Sequence, residues 1–270
     1  MKETPPNREG LCLGGSTWGF FRGDDPSIWI AQSEAVRAIV SCELGVEVWP
    51  TRGIHDPDPT PQEIKRLGAE CSEAPFVSVH MRGKYWFWDP ANLRTEIDFA
   101  RSIGAETLVV HPICLGLIHR GDEVDKREVR RAAAYGARAG VRLALENVEN
   151  SVWALDRVLD EVGDDPERTN LGICIDIGHA FLSNDAGPEP VLGYLDRYKK
   201  QVLHLHFHDN HGDADDHLVP GEGSIDWPRA LRSIEQIGFS GTGVLETPLT
   251  PGASLSNELR QSLERLEAKT

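Results

Sequence analysis

Short apolar runs alternate with longer amphipathic segments along the whole chain. Runs of Val, Ile and Leu are typical of strands buried on both faces, and strands that alternate with helices favour a parallel sheet. The pattern predicts strands at 11–14, 45–49, 76–80, 107–111, 141–146, 171–176, 201–206 and 242–246. It predicts helices at 26–43, 61–73, 92–103, 123–139, 152–162, 188–199, 227–237 and 254–268.

Capping residues support these helix boundaries. Thr60 stands before the helix at 61–73 and Asp226 before the helix at 227–237, and a proline follows each of them within two residues. Gly140 follows the fourth predicted helix, where a residue in the left-handed conformation commonly ends a helix.

The number and order of these units predict the fold. Eight β/α units without a Pro-, Ser- or Gly-rich linker favour one (β/α)8 TIM barrel. A doubly wound open sheet is the competing α/β architecture, but no GxGxxG motif follows the first strand. We therefore expect a single TIM-barrel domain over 1–270, in which 1–9 form a flexible N-terminal extension.

Composition and charge limit the classes of molecule that the protein is expected to bind. Hydrophobic residues make up 40% of the chain, and no apolar run reaches the ~20 residues of a membrane helix. The net charge of −15 argues against nucleic acid as a partner but leaves that alternative open, because phosphates attract basic surfaces. The polar N-terminus and the five cysteines without CxxC spacing predict a cytoplasmic protein with reduced thiols and no membrane association.

Most of the predicted strands end in a side chain that can bind a metal. The carboxyl ends of barrel strands meet at one face, where the active sites of TIM barrels lie. The residues at these ends are His80, His111, Glu146, Asp176, His206 and Glu246. Further candidates follow the sixth and seventh strands, namely His179, Asp215 and His217.

Histidines and carboxylates at these positions have different energetic consequences. A single histidine is more often a hydrogen-bonded rim residue than a ligand, because backbone carbonyls readily satisfy neutral imidazole. Buried carboxylates need a cation, and Arg82 and Lys84 are the only basic pair near these strand ends in the sequence. A divalent metal is the simpler partner, and mixed His and carboxylate ligands suit Zn, Mn, Fe or Co.

The segment 81–88, after the third strand, combines aromatic and basic residues. Such a segment can stack on a sugar ring or a base. Aromatic clusters also form hydrophobic lids and contacts between the subunits of a homo-oligomer, so these alternatives stay open. The candidate substrate contacts are Arg82, Trp88 and His179, with Tyr85 as a further aromatic candidate.

Several motifs, taken in order, resemble one superfamily. They are Leu145-Glu146-Asn147, Ile175-Asp176-Ile177-Gly178-His179, His204-Leu205-His206-Phe207-His208-Asp209, Asp215-Asp216-His217 with Gly221-Glu222-Gly223, and Leu245-Glu246-Thr247-Pro248. Over nearly the whole chain they resemble the xylose-isomerase-like TIM-barrel superfamily. This superfamily holds sugar and sugar-phosphate isomerases and epimerases together with endonuclease IV.

The resemblance implies a role for each candidate ligand. The metal quartet of the ketose epimerases, whose glutamates also move protons beside a carbonyl, matches Glu146, Asp176, His206 and Glu246. The additional ligands of the three-zinc cluster of endonuclease IV match His80, His111, His179, Asp215 and His217. Close to His206 in the chain, His208 and Asp209 are expected to orient its ring.

The leading hypothesis is a divalent-metal-dependent sugar or sugar-phosphate isomerase or epimerase that uses one to three zinc or manganese ions. Glu146 and Glu246 would act as its catalytic base and acid. The alternative is an endonuclease-IV-like metal phosphoesterase, whose ligands are present but whose characteristic first loop is not matched by 16–23. A third hypothesis is a barrel that binds a metal or a sugar without turnover.

Overall fold

The fold is a closed parallel β-barrel surrounded by helices. The computed structural model describes residues 10–20, 28–50, 57–83, 87–248 and 261–262. Neighbouring strands pair in parallel in chain order, and the eighth strand pairs with the first, so the barrel is closed. The predicted (β/α)8 TIM barrel is confirmed, while 1–9 and nearly all of the predicted helix 254–268 lie outside the described residues.

Most observed elements lie within a few residues of their predicted positions, but the short helices at 166–169 and 177–182 were not predicted. The strands β1–β8 are Leu11–Ser16, Gly45–Val48, Val77–His80, Thr107–Val110, Arg142–Glu146, Leu171–Asp176, Val202–Phe207 and Gly241–Leu245. The helices α1–α9 are Ile28–Val40, Pro61–Cys71, Pro90–Ser102, Lys126–Ala139, Val152–Val162, Pro166–Thr169, Ile177–Leu182, Pro190–Tyr198 and Trp227–Gln236. Short 3₁₀ segments at Thr17–Phe20 and Pro112–Leu115 follow β1 and β4. Among the described residues, every helix is too short or too polar to cross a membrane.

Side-chain caps fix the helix starts as predicted. Thr60 forms a capping box at α2, in which its hydroxyl accepts from Glu63 N and its own backbone N–H donates to the Glu63 carboxylate at 2.7 Å. Asp226 caps α9 by accepting from Arg229 N. Gly140 ends α4 with a φ of 76°, which a residue without Cβ adopts at no steric cost.

Alternation along the strands separates two kinds of buried side chain. Outward residues such as Leu108 and Leu145 pack against the helices in the main core. Inward residues of β4, β5 and β6 form a separate apolar cluster of Val109, Ala144 and Cys174. The next inward-facing positions, two residues further along each chain segment, are His111, Glu146 and Asp176. The inside of the barrel is therefore apolar in this layer, and polar, metal-capable side chains form the next layer towards the carboxyl ends of the strands.

Candidate metal centre

Carboxylates from three strand ends surround one ring nitrogen at the barrel mouth. His206 Nδ1 lies 2.9 Å from Glu146 Oε1 and 3.4 Å from Glu246 Oε1. The same nitrogen is 3.8 Å from Asp176 Oδ2. We call these residues the inner quartet: Glu146, Asp176, His206 and Glu246. Each is at most 1% exposed, and their ligand atoms lie within 4.8 Å of one another, close enough to bind one ion.

A second group shares Glu146 with the inner quartet. Nε2 of His80 and Nε2 of His111 lie 3.0 and 2.9 Å from Glu146 Oε2, and they are 3.1 Å apart. We call His80 and His111 the histidine pair. The two oxygens of Glu146 face different groups, so this carboxylate can bridge two ions.

A third group lies on α7 and on the loop between β7 and α9. Asp215 Oδ2 is 3.3 Å from His179 Nε2 and 3.3 Å from His217 Nε2. Asp215 Oδ1 is 3.7 Å from His208 Nε2. We call these residues the outer group: His179, His208, Asp215 and His217. The Asp215 side chain is 46% exposed, so the outer group opens to solvent.

Asp176 explains why His179 lies beside the inner quartet. Asp176 ends β6 and caps α7, since its Oδ1 accepts from His179 N at 2.7 Å. His179 Nδ1 lies 3.0 Å from the carbonyl oxygen of Asn147. A carbonyl can only accept, so Nδ1 carries the proton and Nε2 faces Asp215 as the nitrogen available to an ion. Burial disfavours the imidazolium form, but Asp176 and Asp215 outweigh it and raise the pKa of His179 to about 10.

Buried Asp209 organises the loop that carries the rest of the outer group. Its carboxylate accepts from Gly221 N at 2.7 Å and from Trp227 Nε1 at 2.8 Å. Its backbone pairs with Leu218 through two hydrogen bonds of 2.7 Å. These contacts fix the turn that carries His217, whose φ is 50°. Asp209 therefore supports the outer group.

His208 belongs to the outer group rather than to the support of His206. Its Nε2 lies 3.0 Å from Asp176 Oδ1, and its ring stacks on that of His217 with centroids 3.9 Å apart. The ring also lies so close to Gly178 that a Cβ there would be 2.0 Å from His208 Cε1. The expectation that His208 and Asp209 orient His206 was wrong, because both side chains are bound elsewhere.

Burial and neighbouring charges shift the two glutamates of the inner quartet in opposite directions. Burial raises the pKa of Glu146, but His206 and His111 outweigh it and hold that pKa well below its usual range. Burial raises the pKa of Glu246 well above its usual range, and Glu146 and Glu47 add to this effect against the opposing His206. Carboxyl groups with pKa values pushed apart are typical of acid–base sites.

The donor set of the inner quartet fits a divalent cation. Asp176 Oδ2 and Glu246 Oε1 are buried and have no hydrogen-bond partner among the described residues. Across the same residues, every ion-pair partner of the quartet's carboxylates is a histidine. Buried carboxylates without Lys or Arg need positive charge from protonated histidines such as His179 or from a bound cation. Nitrogen and oxygen donors without sulfur suit zinc or manganese, so these residues fit the predicted metal.

The structure brings all of the predicted ligands into these three groups, whereas Arg82 and Trp88 belong to none of them. Arg82 is 3% exposed, and its guanidinium group donates to Glu96 Oε1 at 2.7 Å and to Asp58 Oδ1 at 2.8 Å. Trp88 is half-buried against the main core. Lys84 and Tyr85 lie outside the described residues.

Three residues near these groups were not predicted from the sequence, namely Glu47, Trp18 and Trp49. Glu47 lies inside β2 and faces His206 from the side opposite the inner quartet. The ring of Trp49 stacks on His80 with centroids 3.6 Å apart, and that of Trp18 stacks on His217 at 4.0 Å. Two features of the sequence could have identified these residues. Glu47 is a single acid in an apolar strand, and Trp18 and Trp49 are aromatic residues that closely follow β1 and β2.

Comparison with known proteins shows relatives of this chain. The family model described as xylose isomerase-like TIM barrel matches residues 43–269. An uncharacterised protein of Methanocaldococcus jannaschii is 31% identical over 191 residues, which cover 66% of this chain and 63% of that protein. Fructoselysine 3-epimerase of Shigella flexneri is 34% identical over 80 residues, 30% of this chain and 29% of that enzyme. The chain thus aligns with less than two thirds of the length of either relative.

Solved structures share the fold over nearly the whole chain. D-allulose 3-epimerase from Methylomonas sp., solved in complex with D-allulose, matches with a TM-score of 0.67 and 17% identity. The match covers 97% of this chain and 98% of that chain. At this identity the likeness shows a common fold.

Proposed function

The chain belongs to the xylose isomerase-like TIM-barrel family, and from this premise we propose that it is a divalent-metal-dependent isomerase or epimerase of a sugar or sugar phosphate. The inner quartet supports this proposal, because two buried glutamates flank a single imidazole nitrogen there. Fructoselysine 3-epimerase and D-allulose 3-epimerase among the similar proteins support a carbohydrate as the substrate class.

The inner quartet would hold the metal of this reaction. A divalent metal, when bound, polarises a substrate carbonyl and so acidifies the adjacent C–H bond. Glu146 also contacts the histidine pair, and the outer group offers a further set of donors, so the proposal covers one to three ions. Zinc and manganese are the proposed metals, because both accept mixed imidazole and carboxylate ligands.

Glu146 and Glu246 are the proposed acid–base pair. Their carboxyl groups approach His206 Nδ1 from the end of β5 and from the residue after β8. A substrate held between them meets one carboxyl group on each side. One glutamate removes the proton from the carbon beside the carbonyl, and the other returns a proton on the opposite face. This exchange inverts the carbon.

We propose His179 and Trp88 as substrate contacts, since His179 lies at the solvent-facing outer group and Trp88 follows β3 at the barrel mouth. Arg82 is the remaining candidate for a substrate hydroxyl or phosphate. Glu96 and Asp58 already bind its guanidinium group. We therefore propose that Arg82 stabilises the loop that carries Trp88 instead of binding the substrate.

Solvent deuterium exchange tests the proposed reaction. Protein reconstituted with manganese or zinc is incubated with a panel of ketoses in D₂O, and incorporation of deuterium beside the carbonyl is followed by NMR. Glu246→Gln should lower the exchange rate about 10²–10⁴-fold, because it removes one proton-transfer group. The exposed Glu235→Gln is the matched control. Full retention of exchange in Glu246→Gln would contradict the proposal, and sugar binding without exchange in the wild type would favour a binding protein.

A second candidate function is phosphoester hydrolysis. The observation in its favour is that the histidine pair and the outer group supply donors beyond those of the inner quartet. Several bound ions can stabilise the attacking and the leaving oxygens of a phosphoester. Metal-dependent incision of a duplex with one abasic site, lost in Glu246→Gln and steeply dependent on salt, would favour this function. Absence of incision would favour the isomerase or epimerase reaction.

A further inference from the structure

Glu47 is a buried acid that belongs neither to the inner quartet nor to the outer group. It is fully buried in β2, one residue before the end of that strand. Ser78 Oγ donates to its Oε2 at 2.9 Å. His204 Nε2 lies 3.2 Å from the same oxygen, and His206 Nε2 lies 3.2 Å from Oε1 and forms its hydrogen bond with Oε2 at 3.4 Å. The carboxylate is therefore held between two imidazoles inside the barrel.

The ring of His206 connects Glu47 to the inner quartet. Nε2 faces Glu47, whereas Nδ1 faces the carboxylates of Glu146, Glu246 and Asp176. A neutral imidazole carries one N–H, and the other nitrogen offers a lone pair. If Nε2 donates to Glu47, the lone pair of Nδ1 lies among the three carboxylates that would hold the proposed ion.

We propose that Glu47 is the positioning residue of the metal centre: it accepts the Nε2–H of His206, which fixes the ring plane and directs the Nδ1 lone pair at the ion. This role rests on the metal centre proposed above. A carboxylate behind a metal-binding histidine fixes its tautomer and raises its basicity. Such support is strong here, because none of the groups involved is exposed.

The contacts around Glu47 explain how it keeps its own orientation. His204 Nδ1 lies 2.7 Å from Thr242 Oγ1, so the ring of His204 is held at its far side. Ser78 donates to the carboxylate from β3. Thr242, His204, Glu47 and His206 thus form a continuous chain from β8 to the inner quartet, in which Thr242 is half-buried and the other three residues are fully buried.

Two substitutions of Glu47 separate charge from packing. Glu47→Gln keeps the volume and loses the charge, while Glu47→Asp keeps the charge and shortens the reach. Positioning by the carboxylate predicts that Glu47→Gln weakens zinc binding about 10–100-fold, more than Glu47→Asp does. The exposed Glu235→Gln, on α9, should bind zinc with wild-type affinity, because its side chain is remote from the Glu47–His206 contact. Titration calorimetry with zinc measures these affinities.

A second readout follows the ring itself. In the zinc-loaded wild type, the Nε2–H of His206 should give a downfield, slowly exchanging ¹H–¹⁵N signal, and Glu47→Gln should shift or lose it. Wild-type affinity together with an unchanged signal in Glu47→Gln would overturn the role of Glu47, as would a greater loss in Glu47→Asp than in Glu47→Gln. If Glu47→Gln does not fold, wild-type affinity in Glu47→Asp overturns it. Absence of both zinc and manganese binding in the wild type would instead contradict the proposed function.

Discussion

The inner quartet and the outer group use the same types of side chain but are held by different parts of the fold. The inner quartet stands at the ends of β5 to β8, and none of its side chains is more than 1% exposed. The outer group stands on the six-residue helix α7 and on the loop after β7, and the Asp215 side chain is 46% exposed. Closure of the barrel holds the first group, and the hydrogen bonds of one loop hold the second.

This difference determines which of the two groups has its side-chain positions fixed by the barrel. Asp176 and His206 are register partners in the β6–β7 ladder, so neither can move without disrupting the sheet. The outer group depends on Asp209, whose carboxylate binds loop backbone. Sites on strands are more precise than sites on loops, whereas loops vary with less cost to the fold. We therefore expect the proposed reaction to depend on the inner quartet and the substrate preference to depend on the outer group.

The largest expected effect comes from Glu146, which touches both the inner quartet and the histidine pair. Glu146→Gln should reduce exchange of the sugar C–H about 10²–10⁴-fold, because a proton-transfer group is lost. It should also lower the number of bound metal ions, measured by elemental analysis after dialysis, because both oxygens of Glu146 are ligand candidates. The exposed Glu149→Gln, in the following loop, is the control. Unchanged metal content would show that the two groups do not share a ligand.

A smaller effect is expected at the outer group. Asp215→Asn should lower sugar exchange by less than about tenfold, equivalent to ~1.4 kcal/mol of activation free energy, because the inner quartet is left intact. Measurement of deuterium incorporation checks this prediction. The control is Asp216→Asn, a substitution of the neighbouring exposed residue. A loss as large as that in Glu146→Gln would remove the distinction between the two groups. A selective loss of phosphoester cleavage would favour the second candidate function.

The smallest effect should come from a change remote from both groups. Thr60→Ala removes the capping box of α2 and should lower the free energy of unfolding by about 1 kcal/mol. Urea unfolding measures this change, with Thr60→Ser as the control that keeps the hydroxyl. Metal content and sugar exchange should equal those of the wild type. A change in either would show that α2 is coupled to the metal centre.

The sequence predicted the barrel because long segments carry the alternation of buried strands and amphipathic helices. It also predicted where the inner quartet lies, because the end of a buried strand is a position defined by the fold. Short elements were less predictable. Helix α7 has only six residues, and its capping residue, Asp176, also ends a strand. No hydrophobic period can develop over such a length.

Glu47 could not be found by the rule that located the other acids. That rule considers strand ends, whereas Glu47 lies inside β2 and is stabilised by histidines of β7, which is distant in sequence. The roles of His208 and Asp209 were misassigned for a related reason. Proximity to His206 in the chain suggested that they support its ring, but the path of the loop after β7 turns both side chains towards other partners.

The close contact between Gly178 and His208 links two distant positions of the sequence. Because a Cβ at 178 would overlap the imidazole, a chain with alanine or a larger residue at 178 cannot hold a histidine at 208 in this orientation. We therefore expect the two positions to vary as a pair rather than independently. We expect other barrels with the same outer group to carry glycine at the first position and histidine at the second.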